Sequence, residues 1–68
     1  MFILKWTNKY SGETGYVASV SAKDKCFVNT FNKDEAKVYK SESVARRMIT
    51  SLQTYGEAEQ NTFEIVPA

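Results

Sequence analysis

Ser41-Glu42-Ser43-Val44-Ala45-Arg46-Arg47-Met48-Ile49-Thr50-Ser51-Leu52-Gln53-Thr54-Tyr55-Gly56 reads as one complete amphipathic helix with both ends marked. Ser41 offers a hydroxyl to the unpaired amides of the first turn, and Glu42 sets a negative charge against the positive end of the helix dipole. Gly56 supplies the left-handed residue at which helices commonly stop. At about 100° per residue, Val44, Ala45, Met48, Ile49, Leu52 and Tyr55 fall within an arc of roughly 140°. Arg46, Arg47, Thr50, Ser51, Gln53 and Thr54 fill the remainder, so one face is expected to be buried and the other wet.

Upstream of this helix the periodicity changes from 3.6 to 2. Phe2 to Thr7 alternates Phe2, Leu4, Trp6 with Ile3, Lys5, Thr7, the mark of a half-buried strand. Asn8 to Gly15, with two glycines and several turn-forming side chains, reads as a hairpin loop. A second strand runs from Tyr16 to about Ala22, with Tyr16, Ala18 and Val20 on one face and Val17, Ser19 and Ser21 on the other. Lys23-Asp24-Lys25 forms a tight charged turn, and Cys26 to Phe31 a third strand that sets Phe27, Asn29 and Phe31 opposite Cys26, Val28 and Thr30. Such short connections imply an antiparallel meander.

Asn32 to Lys40 reads as an irregular or single-turn connector, because Asn32 followed by Glu35 suggests a helix start while Val38-Tyr39 favours extended chain. After the helix, Glu57 to Asn61 is a polar link. Thr62 to Val66 is a last strand with Phe63 and Ile65 inward and Glu64 outward, ended by Pro67 and expected beside the first strand. The expectation is one α+β domain over 1–68, of order β-β-β-α-β: an antiparallel sheet of three to four strands with one amphipathic helix packed on one face. Domains this small bury only about 60% of the surface their unfolded chain exposes, so the core should be thin.

Composition narrows function by exclusion. Sixty-eight residues with 43% hydrophobic and 25% charged are globular in character, and the net charge is only +1. That charge is unevenly spread. Residues 1–33 hold five lysines against two acids, residues 34–55 four bases against three acids, and residues 56–68 three glutamates and no base. Without histidine, neither Cys26 nor any serine has an imidazole to activate it, and zinc lacks its usual ligands. The neighbouring acids Asp34/Glu35 and Glu57/Glu59 lie in polar connectors, where solvated charge accounts for them, and Gly12-Glu13-Thr14-Gly15 lacks the lysine of a phosphate-binding loop. No metal, cofactor or catalytic residue is expected. A single cysteine, no long apolar run and no signal-peptide core point to a cytoplasmic protein.

With one helix to cover one sheet face, the other face is left to water or to a partner, and Lys5, Thr7, Ser19 and Ser21 should project there. Val17 joins them on the alternation, and with Ile3 it suggests apolar surface that a homodimer could cover. Tyr10 in the loop and Arg46 and Arg47 on the wet side of the helix complete the candidate contacts. The leading reading is a non-enzymatic accessory or interaction module binding a protein partner through the open sheet face or an edge strand. The alternative is a DNA-binding module using the three-stranded sheet, supported by the basic first half.

Two resemblances bear on this. Three strands and a helix, with Phe27-Val28-Asn29-Thr30-Phe31-Asn32-Lys33-Asp34-Glu35-Ala36, resemble three-stranded-sheet DNA-binding domains of the conjugative-transposon integrase type. That resemblance implies a sheet entering the major groove, yet the strands here contain no Arg, the residue best suited to reading guanine. The spacing of Ala36, Tyr39, Ser41 and Ala45 before the helix and final strand is similar to small uncharacterised proteins of Gram-positive phages and conjugative elements. It implies no established activity.

Overall fold

A computed structural model describes residues 1–56 and 59–68. The elements are β1 (Phe2–Asn8), β2 (Thr14–Ser21), β3 (Cys26–Thr30), a single 3₁₀ turn (Lys33–Glu35), α1 (Glu42–Thr54) and β4 (Asn61–Pro67). All strand pairs are antiparallel and the sheet order is β3-β2-β1-β4, so the last strand does return beside the first. The helix begins where its cap is: the Ser41 hydroxyl accepts from the Val44 amide at 3.3 Å. It ends at Tyr55, and Gly56 follows with φ of 87°, the left-handed region that glycine enters without a Cβ penalty.

α1 packs over β1 and β4. Leu4, Trp6, Val17, Tyr39, Ala45 and Leu52 form the buried core, flanked by Phe2, Val20, Phe27, Met48, Ile49, Tyr55, Phe63 and Ile65. Val44, expected on the buried stripe, is 44% exposed, because the helix presses on a narrow sheet and the margin of its apolar arc overhangs into water. Phe27 on one edge strand and Phe63 on the other meet edge-to-face at 5.6 Å. Strands about 4.8 Å apart would hold those edges some 14 Å from each other in a flat sheet. The sheet is therefore curled, its helix-bearing face concave.

The exposed apolar surface expected from Val17 and Ile3 is overturned at both residues. Val17 is fully buried within the core and not on the open face. The register between β2 and β3 shifts between Val17 and Ser19, so one residue, Ala18, is inserted as a β-bulge. A bulge breaks the period of 2. Val17, opposite Asn29, and Val20, opposite Phe27, thereby share the concave face, while Tyr16 and Ser19 lie on the other. Ile3 does lie on the second face but is only 1% exposed, because the connector lies over it: Lys33, Asp34, Ala36 and Val38 gather around Ile3 and Ala68.

How the connector reaches the helix follows from its backbone bonds. Asn32 caps the 3₁₀ turn, its side chain accepting from the Asp34 amide at 3.0 Å. The Lys37 amide then donates to the Val17 carbonyl at 2.9 Å, and Tyr39 exchanges two bonds with Phe2, at 2.7 and 2.9 Å. Past the Lys5 and Tyr16 pair, then, the connector wedges between β1 and β2, passing from the Ile3 side to the helix side. The wedge leaves a mark at Tyr39. Its ring is in the core, but its hydroxyl is buried without a hydrogen-bond partner among the described residues.

Burial pushes the Tyr39 hydroxyl above its ordinary pKa of 10.0. The unfolded chain ionises first as pH rises, releasing a proton the folded state retains, so this residue's contribution is intact below pH about 10 and lost above it. Tyr39→Phe removes an unsatisfied hydroxyl and should raise stability by about 1 kcal/mol at neutral pH. Urea denaturation of both proteins at pH 7 and pH 10.5 checks it: the substitution should widen its advantage at the higher pH.

Candidate functional site

Of the eight residues expected to meet a partner, the structure brings four together. Lys5, Thr7, Ser19 and Ser21 share the convex sheet face with Tyr16, Val28 and Thr62. Lys5 is not a free cation there, since its Nζ lies 3.8 Å from Glu64 across the β1 and β4 pair. At 35% and 60% side-chain exposure that pair adds little stability, but it neutralises the middle of the face. Tyr10, 82% exposed, stands at the hairpin tip, where the Asn8 side chain accepts from the Tyr10 and Ser11 amides at 2.9 Å. Arg46 and Arg47 are exposed on the outer side of α1, Arg46 beside Glu42 at 3.4 Å. Val17 leaves the set because it is buried.

A second location emerges at the hairpin end of the concave face, beyond the reach of α1. Trp6, Asn8, Glu13, Phe27, Asn29 and Asn61 line an open cavity of about 280 Å³. The Asn8 amide reaches Asn61 Oδ1 at 3.5 Å, and Asn61 is 8% exposed. Phe31, 65% exposed, stands edge-on to Trp6 at 5.9 Å. Three amides and one carboxylate suit neutral or cationic groups and disfavour a phosphate. The amides were missed because each was read within its own strand. Alternation already set Asn29 with Phe27 and Phe31, and carrying it one step further would have placed Asn8 after Trp6 and Asn61 before Phe63, all on the concave face.

The sheet edges are the third feature. The Asn8 amide bonds to the Glu13 carbonyl, and the Ala68 amide to the Met1 carbonyl, so even-numbered residues of β1 turn their backbone groups toward β2 and odd-numbered ones toward β4. Opposite Lys5 and Ile3, Glu64 and Val66 face inward; Phe63 and Ile65 therefore point their amides and carbonyls outward. The same alternation turns Tyr16 toward Thr30 and leaves Phe27 and Asn29 pointing outward on β3.

Among the described residues no group of three His, Cys, Asp or Glu could hold a metal ion, and no helix is long and apolar enough to cross a membrane. Glu57, named with Glu59 as a carboxylate pair, lies outside the described residues. Set against known protein families, curated proteins and solved structures, the chain gives no match.

Proposed function

We propose that this chain is a non-enzymatic interaction module that takes an extended, basic segment of a partner protein as a fifth strand along β4. The observation that carries it is the β4 edge: seven residues in unbroken register with β1, with outward backbone groups at Phe63 and Ile65. An added strand gains main-chain hydrogen bonds there, and alternate side chains give it specificity. Apolar ones would lie beside half-buried Phe63 and Ile65 on the helix side, and on the other side a base would share the exposed Glu64 carboxylate with Lys5. Residues 56–68 hold three glutamates and no base, which selects for a positively charged strand.

Two features turn the reading from nucleic acid and from catalysis. On the convex face Lys5 is matched by Glu64, and the connector lying across that face carries Lys33 and Lys37 with Asp34 and Glu35, so neither builds a positive patch. The cavities around Asn61 and around Ile3 are each lined by one acidic side chain, Glu13 and Asp34, so neither brings together the two side-chain carboxylates that acid-base work without histidine would need.

The test is an amide-resolved NMR titration with a blocked octapeptide alternating lysine and valine, its glutamate and valine counterpart, and a short DNA duplex at low salt. Expected are shifts and slowed hydrogen exchange at Phe63 and Ile65 with the lysine peptide alone. No response at millimolar peptide overturns the proposal. So does a duplex-induced shift at Lys5 and Thr7 that fades with salt, which assigns the sheet to nucleic acid.

A further inference from the structure

The opposite edge of the sheet fits a different partner. We propose that β3 pairs with β3 of a second copy of this chain, antiparallel and centred on Val28, to give a two-fold dimer with one continuous eight-stranded sheet. Cys26–Thr30 has Val28 at its midpoint, so this register alone pairs all five residues with all five. Phe27 and Asn29 carry the outward backbone groups, and under this symmetry Phe27 of one copy faces Asn29 of the other. Each such pair exchanges both of its bonds, giving four in all, while Val28 meets Val28 in the position where facing Cα atoms approach to about 4.5 Å.

Side chains agree with the backbone. Val28 is 57% exposed and Phe31 65% exposed, the apolar surface that the β3 edge leaves in water. Pairing covers Val28 with its own copy and sets Phe31 opposite Lys25, whose φ of 53° ends the strand. No like charges face each other from Lys25 to Phe31. β4 behaves differently: its midpoint is Glu64, and the same symmetry would set glutamate against glutamate. Charge thus assigns the β3 edge to self-pairing and bars the β4 edge from it, which keeps the assembly closed at two copies. Five residues a side bury less than the roughly 1,200 Å² of a stable interface, so the dimer forms reversibly as concentration rises.

Cys26 makes the register directly testable. In the dimer it faces Thr30 of the other copy at a non-hydrogen-bonded position, within the 4.4–6.8 Å Cα range that a disulfide spans. Thr30→Cys should therefore give a covalent dimer under mild oxidation, while the unaltered chain, with Cys26 facing threonine, should not. Val28→Cys, cross-linking on the two-fold axis, is the second variant should Thr30→Cys fail to fold. Sedimentation equilibrium of the unaltered chain should show the mass climbing from 7.7 kDa toward twice that between micromolar and millimolar. Val28→Lys, at an exposed site, should hold it at the monomer. A strict monomer at millimolar concentration, growth beyond two copies, or cross-linking by neither variant overturns the proposal. Because Val28→Lys leaves β4 untouched, peptide addition there stands or falls separately.

Discussion

Val17→Lys should prevent this chain from folding, whereas Ser19→Lys, two residues along the same strand, should leave its stability within about 0.5 kcal/mol of the parent. Strict alternation puts both residues on the solvent face and predicts two harmless changes. The bulge at Ala18 separates them: Val17 is fully buried beside Leu4 and Leu52, and Ser19 is exposed. A lysine at 17 must bury an unpaired ammonium or tear β2 from the core, a cost of about 3–5 kcal/mol. A chain of 68 residues has on the order of 3–10 kcal/mol of stability in total, so that cost is most of what there is. Thermal denaturation by circular dichroism decides it. Cooperative unfolding of Val17→Lys near the parent's midpoint would mean that Val17 is not buried in solution and that the register of Tyr16 with Lys5 is wrong.

The contrast shows what was legible in the sequence and what was not. Signals confined to one element were legible: the Ser41 cap, the Gly56 stop, the single turn after Asn32, and Phe63 and Ile65 facing inward on a strand beside the first. What escaped depends on two elements at once. A bulge is a mismatch between the lengths of two paired strands, and nothing in Tyr16 to Ala22 marks where the extra residue is taken up. The cover over Ile3 likewise comes from a connector without regular pattern, held by Lys37 to Val17 and Tyr39 to Phe2. The amide-lined cavity is joined by curling of the sheet, which draws Asn29 on one edge and Asn61 on the other to a common space. Contacts of that kind are set by tertiary geometry, and the residues involved look unremarkable one strand at a time.

Gly15 shows the same dependence and supports the second strong prediction. In the sequence it reads as a loop glycine, placed to let the chain turn. In the structure the turn belongs to Gly12, with φ of 77°, and Gly15 is already inside β2, opposite Trp6, where its backbone needs no special freedom. What needs the missing side chain is the tryptophan. A Cβ at 15 would stand 2.6, 2.7 and 2.9 Å from three atoms of the indole. That ring is 4% exposed and held by Nε1 donating to the Tyr16 carbonyl at 3.2 Å and by the edge of Phe31. A single methyl must therefore displace the largest side chain in the core, and Gly15→Ala should cost about 3 kcal/mol, at the upper end for overpacking. Gly12→Ala meets no atoms and pays only for its left-handed backbone, about 1 kcal/mol. Trp6 is the only tryptophan, so its fluorescence reports on the site during urea denaturation. The larger loss should fall at position 15, with a changed native emission; the reverse order would make Gly15 a turn residue after all.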